Sequence, residues 1–478
     1  MKHCKHIFFV LALLLCVFST SFSTNKQFIY ANVYSSTTTP VNSERIRYDV
    51  LPKDEMPIVA YMAMPPANAN DGDSISDNPS GMNLHNFLTY KEAGFNILCG
   101  LYDKIGFKDG DVRKALELCE MLDMPYLIND PEFSGDTKSG KVGYASTDEY
   151  KQSMLNKWYL ESKAFGGYAL KDEPSTKDFD AMKNIAQALT QIDSGKIAHT
   201  TLFPCGVTAD RVDLPASLNF SGFYDTYVRL LMEKVNPNVL VFDKYLFFDN
   251  NNIEDIGSID FNLYVKNISI IRKYSQQYNT PFWANIATFN HIARKNFTYK
   301  QLLWTVNFNL AYGAQGIQYY TYWDNFVAYS SMNDWGTESG AGAINYTGGK
   351  KENYYEIQKV NQNIKVVDSV LMDSKHIGVM QIGKQIVPML SEDSVYSYGP
   401  LKEISGGDLF VGCFDHNGKA VYYIMNNSTE GATKTFTAKF LHNVDARISN
   451  SDIVKSCNNT SSIGFNLTAG QAILLEVL

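Results

Sequence analysis

Short apolar runs alternate with amphipathic stretches over residues 57–362 of the chain. The apolar runs have the length and composition of strands and occupy residues 58–64, 96–102, 126–129, 167–170, 197–203, 239–245, 282–287 and 316–322. The amphipathic stretches predict helices at residues 84–93, 111–122, 149–164, 177–191, 225–235, 262–278, 299–312 and 353–367. Eight strands alternating with eight helices predict an α/β protein of the (β/α)8 TIM barrel type. An open, doubly wound sheet is the alternative, but no glycine-rich phosphate loop opens any of the helices.

The pattern changes after about residue 374. Apolar runs joined by Gly, Asn and Ser turns predict strands at residues 377–382, 409–414, 421–425, 435–440 and 472–477. No useful helical period occurs there, so we expect a small all-β sandwich of roughly 100 residues beside the barrel. The expected organisation is a signal peptide (1–23), an N-terminal tether (24–50), the barrel (51–372) and the β-sandwich (373–478).

The N-terminus has the pattern of an export signal. Lys2 and Lys5 precede an apolar run at residues 7–18, and small residues follow around Ser23. The run is too short to span a bilayer as a stable helix, so we expect cleavage near Ser23 and no integral membrane segment afterwards. Cys16 lacks the small preceding residues of a lipid-anchor cysteine, and we expect no lipid there. The protein is expected to be secreted, periplasmic or at the cell surface.

Composition narrows the range of functions. The 42 Lys and Arg against 50 Asp and Glu give a formal net charge of −8, which argues against nucleic acid or an anionic membrane as a partner. The cysteines outside the signal are odd in number and widely spaced, and no CxxC, HExxH or EF-hand pattern occurs. We therefore expect no disulfide framework, no metal and no cofactor. Aromatic residues reach 13%, which suits stacking on sugar rings as well as core packing.

The side chains that follow the barrel strands indicate the chemistry, because the reactive face of such a barrel lies at the carboxyl ends of its strands. Carboxylates, aromatic rings and amides follow the strands here. Hydrolysis of a glycosidic bond needs one acid to protonate the leaving oxygen and usually a second carboxylate as nucleophile or base. The candidate catalytic residues are Glu173, Asp243 and Asp172. The candidate substrate-binding residues are Trp323, Tyr245, Tyr320, Trp283, Asn290 and Asp130.

The most informative segment is residues 165–174, Phe-Gly-Gly-Tyr-Ala-Leu-Lys-Asp-Glu-Pro. It resembles the fourth strand of clan A glycoside hydrolases, which ends in Asn-Glu-Pro with the Glu as acid/base. Asp172 stands where that family has Asn, and Glu173 falls on the acid/base. More narrowly, the chain resembles secreted glycosidase-like barrels of polysaccharide-degrading bacteria with Asp-Glu-Pro on this strand. Further matching segments are residues 202–204, 241–245, 311–323 and 467–472.

One departure from that family leaves the second catalytic carboxylate open. Clan A enzymes carry a nucleophilic Glu at the end of strand seven, and the corresponding segment here contains no carboxylate. In the favoured interpretation, Glu173 acts with Asp243. In a second, Glu173 acts with Asp172, which orients a substrate group that attacks its own anomeric carbon. In a third, a loop residue such as Glu338 or Asp334 supplies the carboxylate.

Structural roles compete with these assignments. Asp172 would alternatively cap the following helix. Asp243 would alternatively pair with Lys171 or Lys244, and each aromatic residue would alternatively pack in the barrel wall. We predict a secreted glycoside hydrolase that cleaves O-glycosidic bonds of poly- or oligosaccharides with Glu173 as its acid. The alternative is a catalytically inactive barrel that binds carbohydrate.

Overall fold

The computed structural model describes residues 48–64, 81–101, 109–137, 143–215, 220–247, 259–290, 295–324, 342–345, 348–385, 387–388 and 390–478. The expected signal peptide, Cys16 and the tether up to residue 47 lie outside the described residues, as do Glu338 and Asp334. The described residues form one compact unit. Within the described ranges, no helix is both long enough and apolar enough to cross a membrane.

Strands and helices alternate along the first part of the chain. In order they are β1 (Ile58–Met64), α1 (Leu84–Glu92), β2 (Ile97–Leu101), α2 (Asp109–Met121), β3 (Tyr126–Ile128), α3 (Thr147–Leu155), β4 (Phe165–Ala169), α4 (Phe179–Ile192), β5 (Ile197–His199), β6 (Thr201–Leu202), α5 (Phe220–Lys234), β7 (Leu240–Phe242), α6 (Ile259–Tyr278), β8 (Phe282–Ala287), β9 (Phe289–Asn290), β10 (Lys295–Asn296), α7 (Tyr299–Ala311), β11 (Ile317–Tyr320) and α8 (Glu352–Met372).

Nine of these strands form one parallel sheet in the order β5-β4-β3-β2-β1-β11-β8-β7-β6. β5 and β6 are two pieces of the predicted fifth strand, interrupted at Thr200. β5 pairs with β4, whereas β6 pairs with β7. The two ends of the sheet are therefore joined through a single residue, and the sheet closes on itself. The predicted (β/α)8 barrel is confirmed, with its fifth strand in two parts.

The third predicted helix is shorter than expected. Helix α3 ends at Leu155 rather than continuing to residue 164, and a 3-10 turn, Trp158–Glu161, follows it. Lys157 between them has an extended backbone, which breaks the helix. Its ammonium lies 2.6 Å from the Glu132 carboxylate. The helix predicted to run to residue 164 therefore ends early, where Lys157 forms an ion pair with a residue distant in the sequence.

Strand residues of the barrel alternate between its interior and the surrounding layer of helices. Val59 lies in the interior cluster, whereas its neighbours Ile58 and Ala60 belong to the outer core. Most strands contribute to the interior cluster, which contains Tyr48, Val59, Ile97, Cys99, Leu127, Ala169, Ile197, Val239, Val241 and Trp283. Because both faces of the strands are covered, every residue of β8 is buried.

The fourth strand contains a glycine that no other residue can replace without strain. Gly167 has φ +128°, and a Cβ atom there would overlap the backbone of Ile197. Gly167 pairs with Ile197 in the β4–β5 ladder, so the missing side chain allows these two strands to approach. The ladder in turn fixes the position of the Asp172-Glu173 segment that follows β4.

An antiparallel sheet follows the barrel. Its strands are β12 (Lys375–Ile382), β13 (Leu401–Ser405), β14 (Leu409–His416), β15 (Lys419–Asn426), β16 (Lys434–Ser449), β17 (Val454–Leu467) and β18 (Ala472–Val477). They pair in the order β12-β14-β15-β18-β16-β13, and β17 pairs with β16. The five predicted strands are present, but β13 and β17 were not predicted. The first half of β17 is largely exposed and paired on one side only, so it lacks the apolar alternation that indicates a strand.

Successive residues of the central strands in this sheet pack into different cores. Tyr423 packs with the barrel core, whereas Ile424 packs into a second core with β13, β16 and β17. The Tyr423 hydroxyl donates to Asn307 Oδ1 at 2.7 Å, and Trp304 Nε1 donates to Asn427 Oδ1 at 3.0 Å. Helix α7 thus covers one face of the sheet and the second core covers the other. This arrangement agrees with the predicted all-β sandwich.

Candidate active site

Backbone hydrogen bonds to β6 bring predicted catalytic residues to one side of the barrel mouth. The Glu173 amide donates to the Thr201 carbonyl at 2.9 Å. The Asp243 amide donates to the Leu202 carbonyl at 3.4 Å. Because β6 lies between the ends of β4 and β7, Glu173 and Asp243 flank it, and Asp172 immediately precedes Glu173. The charges of Asp172 and Glu173 both act on Asp243, so the three carboxyl groups form one cluster.

Asp172 lies at the rim of the cleft, where its side chain is exposed to solvent on one side. Protein crowds its other sides, and the nearby Tyr61 hydroxyl lowers the pKa of its carboxyl group. Burial, followed by the like charge of Glu173, raises the pKa of Asp172 to about 7. Asp172 changes its charge near neutral pH.

Asp243 is a partly buried residue whose carboxyl group has few hydrogen-bond donors. Its Oδ1 atom is buried and has no hydrogen-bond partner among the described residues. Burial raises the pKa of Asp243 well above its ordinary value, and the charges of Asp172 and then Glu173 raise it further. The backbone N–H of Asp243 and, more weakly, the Lys244 charge lower the pKa and oppose this shift. The site therefore favours the neutral, protonated form of Asp243.

Glu173 occupies a different environment. Its backbone has φ +47°, a left-handed conformation that is rare outside glycine and often occurs at functional sites. Its carboxylate lies 3.9 Å from the guanidinium of Arg211, and a third of its side chain is exposed. Burial raises the pKa of Glu173, whereas the Arg211 charge lowers it. Of the three carboxylates, Glu173 alone has a described cation at ion-pair distance.

Two tyrosines and an asparagine form a wall beside these carboxylates. Tyr245, which follows β7, stacks on Tyr320 of β11 with ring centroids 6.2 Å apart and an interplanar angle of 10°. Asn285 of β8 donates from Nδ2 to the Tyr245 hydroxyl at 3.3 Å. Asn285 is 4% exposed, and its Oδ1 has no hydrogen-bond partner within the described part of the chain. Because the Asp243 charge acts on Tyr245, this wall adjoins the carboxyl cluster.

A neutral polar layer lies in the barrel interior. His199 Nε2 is 2.7 Å from Gln318 Oε1, which can only accept, so Nε2 carries the proton. Gln318 Nε2 donates to Thr201 Oγ1 at 3.3 Å. Burial lowers the pKa of His199 to about 4 and raises the pKa of the neighbouring Cys99 thiol, 3.8 Å from Nδ1. A neutral imidazole and a protonated thiol do not form an activated nucleophile, so this layer supports the barrel structurally.

Two of the structural alternatives considered for the catalytic aspartates are not realised. Asp178, rather than Asp172, accepts hydrogen bonds at the start of α4, from the Ser175 amide at 2.8 Å and the Ser175 hydroxyl at 2.9 Å. The Lys171 ammonium lies 3.1 Å from Asp178 rather than pairing with Asp243. Neither Asp172 as a helix cap nor Asp243 as the partner of Lys171 therefore explains these residues.

Trp283 and Asp130 lie outside the carboxyl cluster. Trp283 is fully buried in the barrel interior, where its Nε1 donates to the Tyr48 hydroxyl at 3.3 Å. Asp130 is 4% exposed, accepts from the Tyr159 hydroxyl at 2.8 Å and lies 3.3 Å from the Lys157 ammonium. Neither side chain offers an open face to a sugar. Their burial instead indicates structural roles.

The remaining two candidates lie near the rim. Trp323 follows β11 and is only 5% exposed, with its backbone bridged to Ile344. Asn290 ends β9, which forms a short hairpin with β10. Its side chain lies outside what the structure describes, whereas the ring of the preceding Phe289 lies 6.0 Å from Tyr320. Because Trp323 is only 5% exposed, it presents little of its ring to the cleft.

Sequence reasoning missed Tyr61, Arg211 and Asn285. Tyr61 had a usable signal, because strand alternation places it on the same face as Val59, which points into the barrel. Arg211 lies in a loop without a motif, and Asn285 lies inside a buried strand. Among the described residues, no three His, Cys, Asp or Glu side chains are grouped to hold a metal ion.

Neither a protein-family model nor a curated protein sequence matches the chain. Solved structures match it in fold. A variant of AmyP in complex with maltotriose has a TM-score of 0.51 and 11% identity, with 89% of this chain and 97% of that chain covered. An alpha-amylase from Geobacillus thermoleovorans complexed with acarbose has a TM-score of 0.49 and 11% identity, with 89% and 98% covered. The chain thus shares the fold of the AmyP structure, a (β/α)8 barrel followed by an antiparallel β domain.

Proposed function

We propose that this protein is a secreted glycoside hydrolase that cleaves O-glycosidic bonds of poly- or oligosaccharides at the Asp172, Glu173 and Asp243 cluster. The observation that carries the proposal is the meeting of these three carboxyl groups at the barrel mouth, each with its pKa raised by burial. General acid catalysis at neutral pH requires a carboxyl group that still carries its proton there. When neighbouring carboxyl groups have different pKa values, one of them still carries a proton at a pH where the other is ionised.

The wall beside the cluster supports a carbohydrate as substrate. Tyr245 and Tyr320 present aromatic rings, on which the C–H face of a sugar ring packs. Asn285 offers an amide oxygen without a described partner, which suits a sugar hydroxyl as donor. The pattern of basic, apolar and small residues at the N-terminus supports export, which would bring the enzyme to extracellular or periplasmic glycans.

The test is sugar release from a broad panel of plant, algal and host glycans. Wild type is compared with Glu173→Gln and Asp243→Asn, and Glu233→Gln is the matched control. Glu233 pairs with Arg229 on the exposed surface of α5, 2.7 Å away, and takes no part in the cluster. We expect release by wild type and control, and a loss of at least 100-fold in one or both cluster variants. Equal release by all four proteins would contradict the proposal.

A carbohydrate-binding barrel without activity is the second candidate. The observation that favours it is the absence of a carboxylate in β8 and the two residues after it, where clan A enzymes carry their nucleophile. Calorimetric titration of the same glycans separates the two functions. Binding by wild type and by Glu173→Gln with equal affinity, and without sugar release from either, would favour the binding protein.

A further inference from the structure

Resting on the proposed hydrolase activity, we propose that Thr200 and Tyr227 are positioning residues for Glu173. Their hydroxyl groups hold the backbone just before Asp172 and just after Glu173. The segment held between them forms a β-bulge, which lets two carboxyl groups that are adjacent in the sequence act at the same barrel mouth. Neither hydroxyl takes part in the chemistry itself.

The backbone hydrogen bonds after β4 contain one extra residue. The Leu170 amide donates to the His199 carbonyl at 2.7 Å. The next ladder bond runs from the Glu173 amide to the Thr201 carbonyl at 2.9 Å. The chain thus advances three residues after β4 but only two along the neighbouring fifth strand, whereas a regular parallel ladder advances equally on both strands. Residues 171–172 therefore form a β-bulge.

The bulge explains how adjacent carboxyl groups reach one site. Successive side chains of a regular strand point to opposite faces, which would leave only one of Asp172 and Glu173 in the mouth. A bulge changes the direction of the side chains that follow it, and the left-handed backbone of Glu173, with φ +47°, turns the chain further. Asp172 is exposed, a third of the Glu173 side chain is exposed, and the charges of both act on Asp243. The two neighbours therefore share the mouth.

Thr200 holds the bulge on the side of Asp172. It lies between β5 and β6, opposite the bulge, and is 1% exposed. Its Oγ1 donates to the Lys171 carbonyl at 2.7 Å. This side-chain bond joins the two strands between the ladder bonds on either side of the extra residue. The break of the fifth strand at Thr200 and the bulge after β4 are thus two sides of one arrangement.

Tyr227 holds the segment on the side of Glu173. It belongs to α5, is fully buried, and donates from its hydroxyl to the Pro174 carbonyl at 2.6 Å. Proline has no amide proton, so this carbonyl is the backbone group through which the residue after Glu173 can be held. Phe179 and Tyr224 pack against the Tyr227 ring, with ring centroids 5.7 Å and 6.1 Å away. The direction of the hydroxyl is therefore fixed by packing.

The two hydroxyls offset an unfavourable backbone conformation. A left-handed residue other than glycine is strained and persists only where its surroundings hold it. Without either hydroxyl, the segment relaxes and moves the Glu173 carboxyl group. Because a displacement of about 1 Å near the reacting atoms can lower a rate by about 100-fold, a small movement is enough to affect turnover.

The kinetic test uses Thr200→Val and Tyr227→Phe, which each remove one hydroxyl and keep the shape of the side chain. On a glycan that wild type cleaves, we expect kcat to fall by at least about 10-fold. We expect KM to stay within about 3-fold, because the substrate-binding wall is unchanged. Thr200→Ser restores the hydroxyl and should return kcat to within about 3-fold of wild type. Failure of serine to rescue, or an unchanged kcat in both test variants, would overturn the proposal.

Two matched controls separate positioning from a general loss of a buried hydrogen bond. Thr305 on α7 donates from Oγ1 to the Gln301 carbonyl at 2.9 Å, and Tyr422 on β15 donates to the Tyr398 carbonyl at 2.6 Å. Both residues are buried and lie outside the carboxyl cluster. Thr305→Val and Tyr422→Phe should therefore keep the kcat of wild type. A fall in the controls equal to that in the test variants would show that the hydroxyls of Thr200 and Tyr227 act only on stability.

A second measurement does not depend on activity. Amide hydrogen exchange of a peptide spanning residues 170–176, followed by mass spectrometry, reports how firmly the bulge is held. We expect exchange faster by about 10-fold in Thr200→Val and Tyr227→Phe, and exchange like that of wild type in Thr200→Ser and both controls. Unchanged exchange in the test variants would overturn the positioning role even when the protein is a hydrolase. Faster exchange in a protein that cleaves no glycan would leave the positioning role intact, and the hydrolase proposal alone would fail.

Discussion

Arg272 of α6 and Asp393 of the β domain form a buried ion pair, with Nη1 2.9 Å from Oδ1 and both side chains less than one tenth exposed. The other donors of Arg272 are also used: Nε donates to His376 Nδ1 at 2.8 Å and Nη2 to the Ile377 carbonyl at 2.9 Å. The Tyr312 hydroxyl donates to the second oxygen of Asp393 at 3.2 Å. Because every charged group has partners, this network joins the barrel to the β domain without an exposed charge.

Asp393→Ala should therefore destabilise the whole protein. It leaves the Arg272 guanidinium buried without its counter-ion, which costs about 3–5 kcal/mol. Urea unfolding followed by circular dichroism measures this free energy. Glu403→Ala is the control, because its ion pair with Lys439 is half-exposed on both sides and contributes less than about 1 kcal/mol. Equal losses in the two variants would show that the network does not join the domains.

Asp243→Asn should stabilise the protein near neutral pH. The unfolded Asp ionises above a pKa of about 3.9, whereas the folded pKa is raised well above that. Stability contributed by the neutral group is therefore fully present at acidic pH and is lost as pH rises through the folded pKa. Asparagine removes this loss, so we expect a gain of at least about 1 kcal/mol at pH 7, the equivalent of one pKa unit, and no gain at pH 3.

Asp178→Asn is the matched control for that substitution. Asp178 is fully buried but accepts hydrogen bonds from Thr137 and Ser175, and these bonds lower its pKa. Its loss should destabilise the protein by about 1–3 kcal/mol. Thermal unfolding at pH 7 and pH 3 compares the two variants. A loss of stability in both at pH 7 would contradict the assigned environment of Asp243.

His199 should make stability fall as the medium becomes acidic. The unfolded imidazole binds a proton below a pKa of about 6.5, whereas burial lowers the folded pKa to about 4. Between these values the unfolded state gains a proton that the folded state excludes, which costs about 1.4 kcal/mol per pH unit. Urea unfolding at pH 7, 6 and 5 should therefore show a shallower acid loss for His199→Gln than for wild type. Parallel pH dependences would show that His199 is protonated in the folded protein.

Trp283→Phe should affect stability and leave sugar binding unchanged. The ring is fully buried, contacts the interior cluster and donates a hydrogen bond to Tyr48, so its truncation leaves an internal cavity and removes that bond. We expect a loss of about 1–3 kcal/mol, measured by urea unfolding. Glycan affinity, measured by calorimetry, should be unchanged, whereas Tyr320→Leu should weaken it. Weaker binding in Trp283→Phe alone would place the indole in the sugar site.

Elements that are buried on both faces could be predicted from the local sequence pattern. The strand predicted at residues 282–287 has those same bounds in the structure, because six consecutive buried positions leave a continuous apolar run. The break at Thr200 and the end of α3 at Leu155 were not predictable in this way. They depend on pairing with β7 and on the contact of Lys157 with Glu132, partners that are distant in the sequence.

The alternation of strands and helices was enough to predict that Asp172, Glu173 and Asp243 stand at strand ends of one barrel, and parallel topology places such ends on a common rim. The proximity of Tyr61 to Asp172 and the inward direction of Trp283 could be seen only in the folded barrel. The physical reason is that burial and electrostatic coupling depend on distances through space. A strand pattern specifies which residues lie near the rim, but the closed barrel determines which of them lose water and which meet another charge.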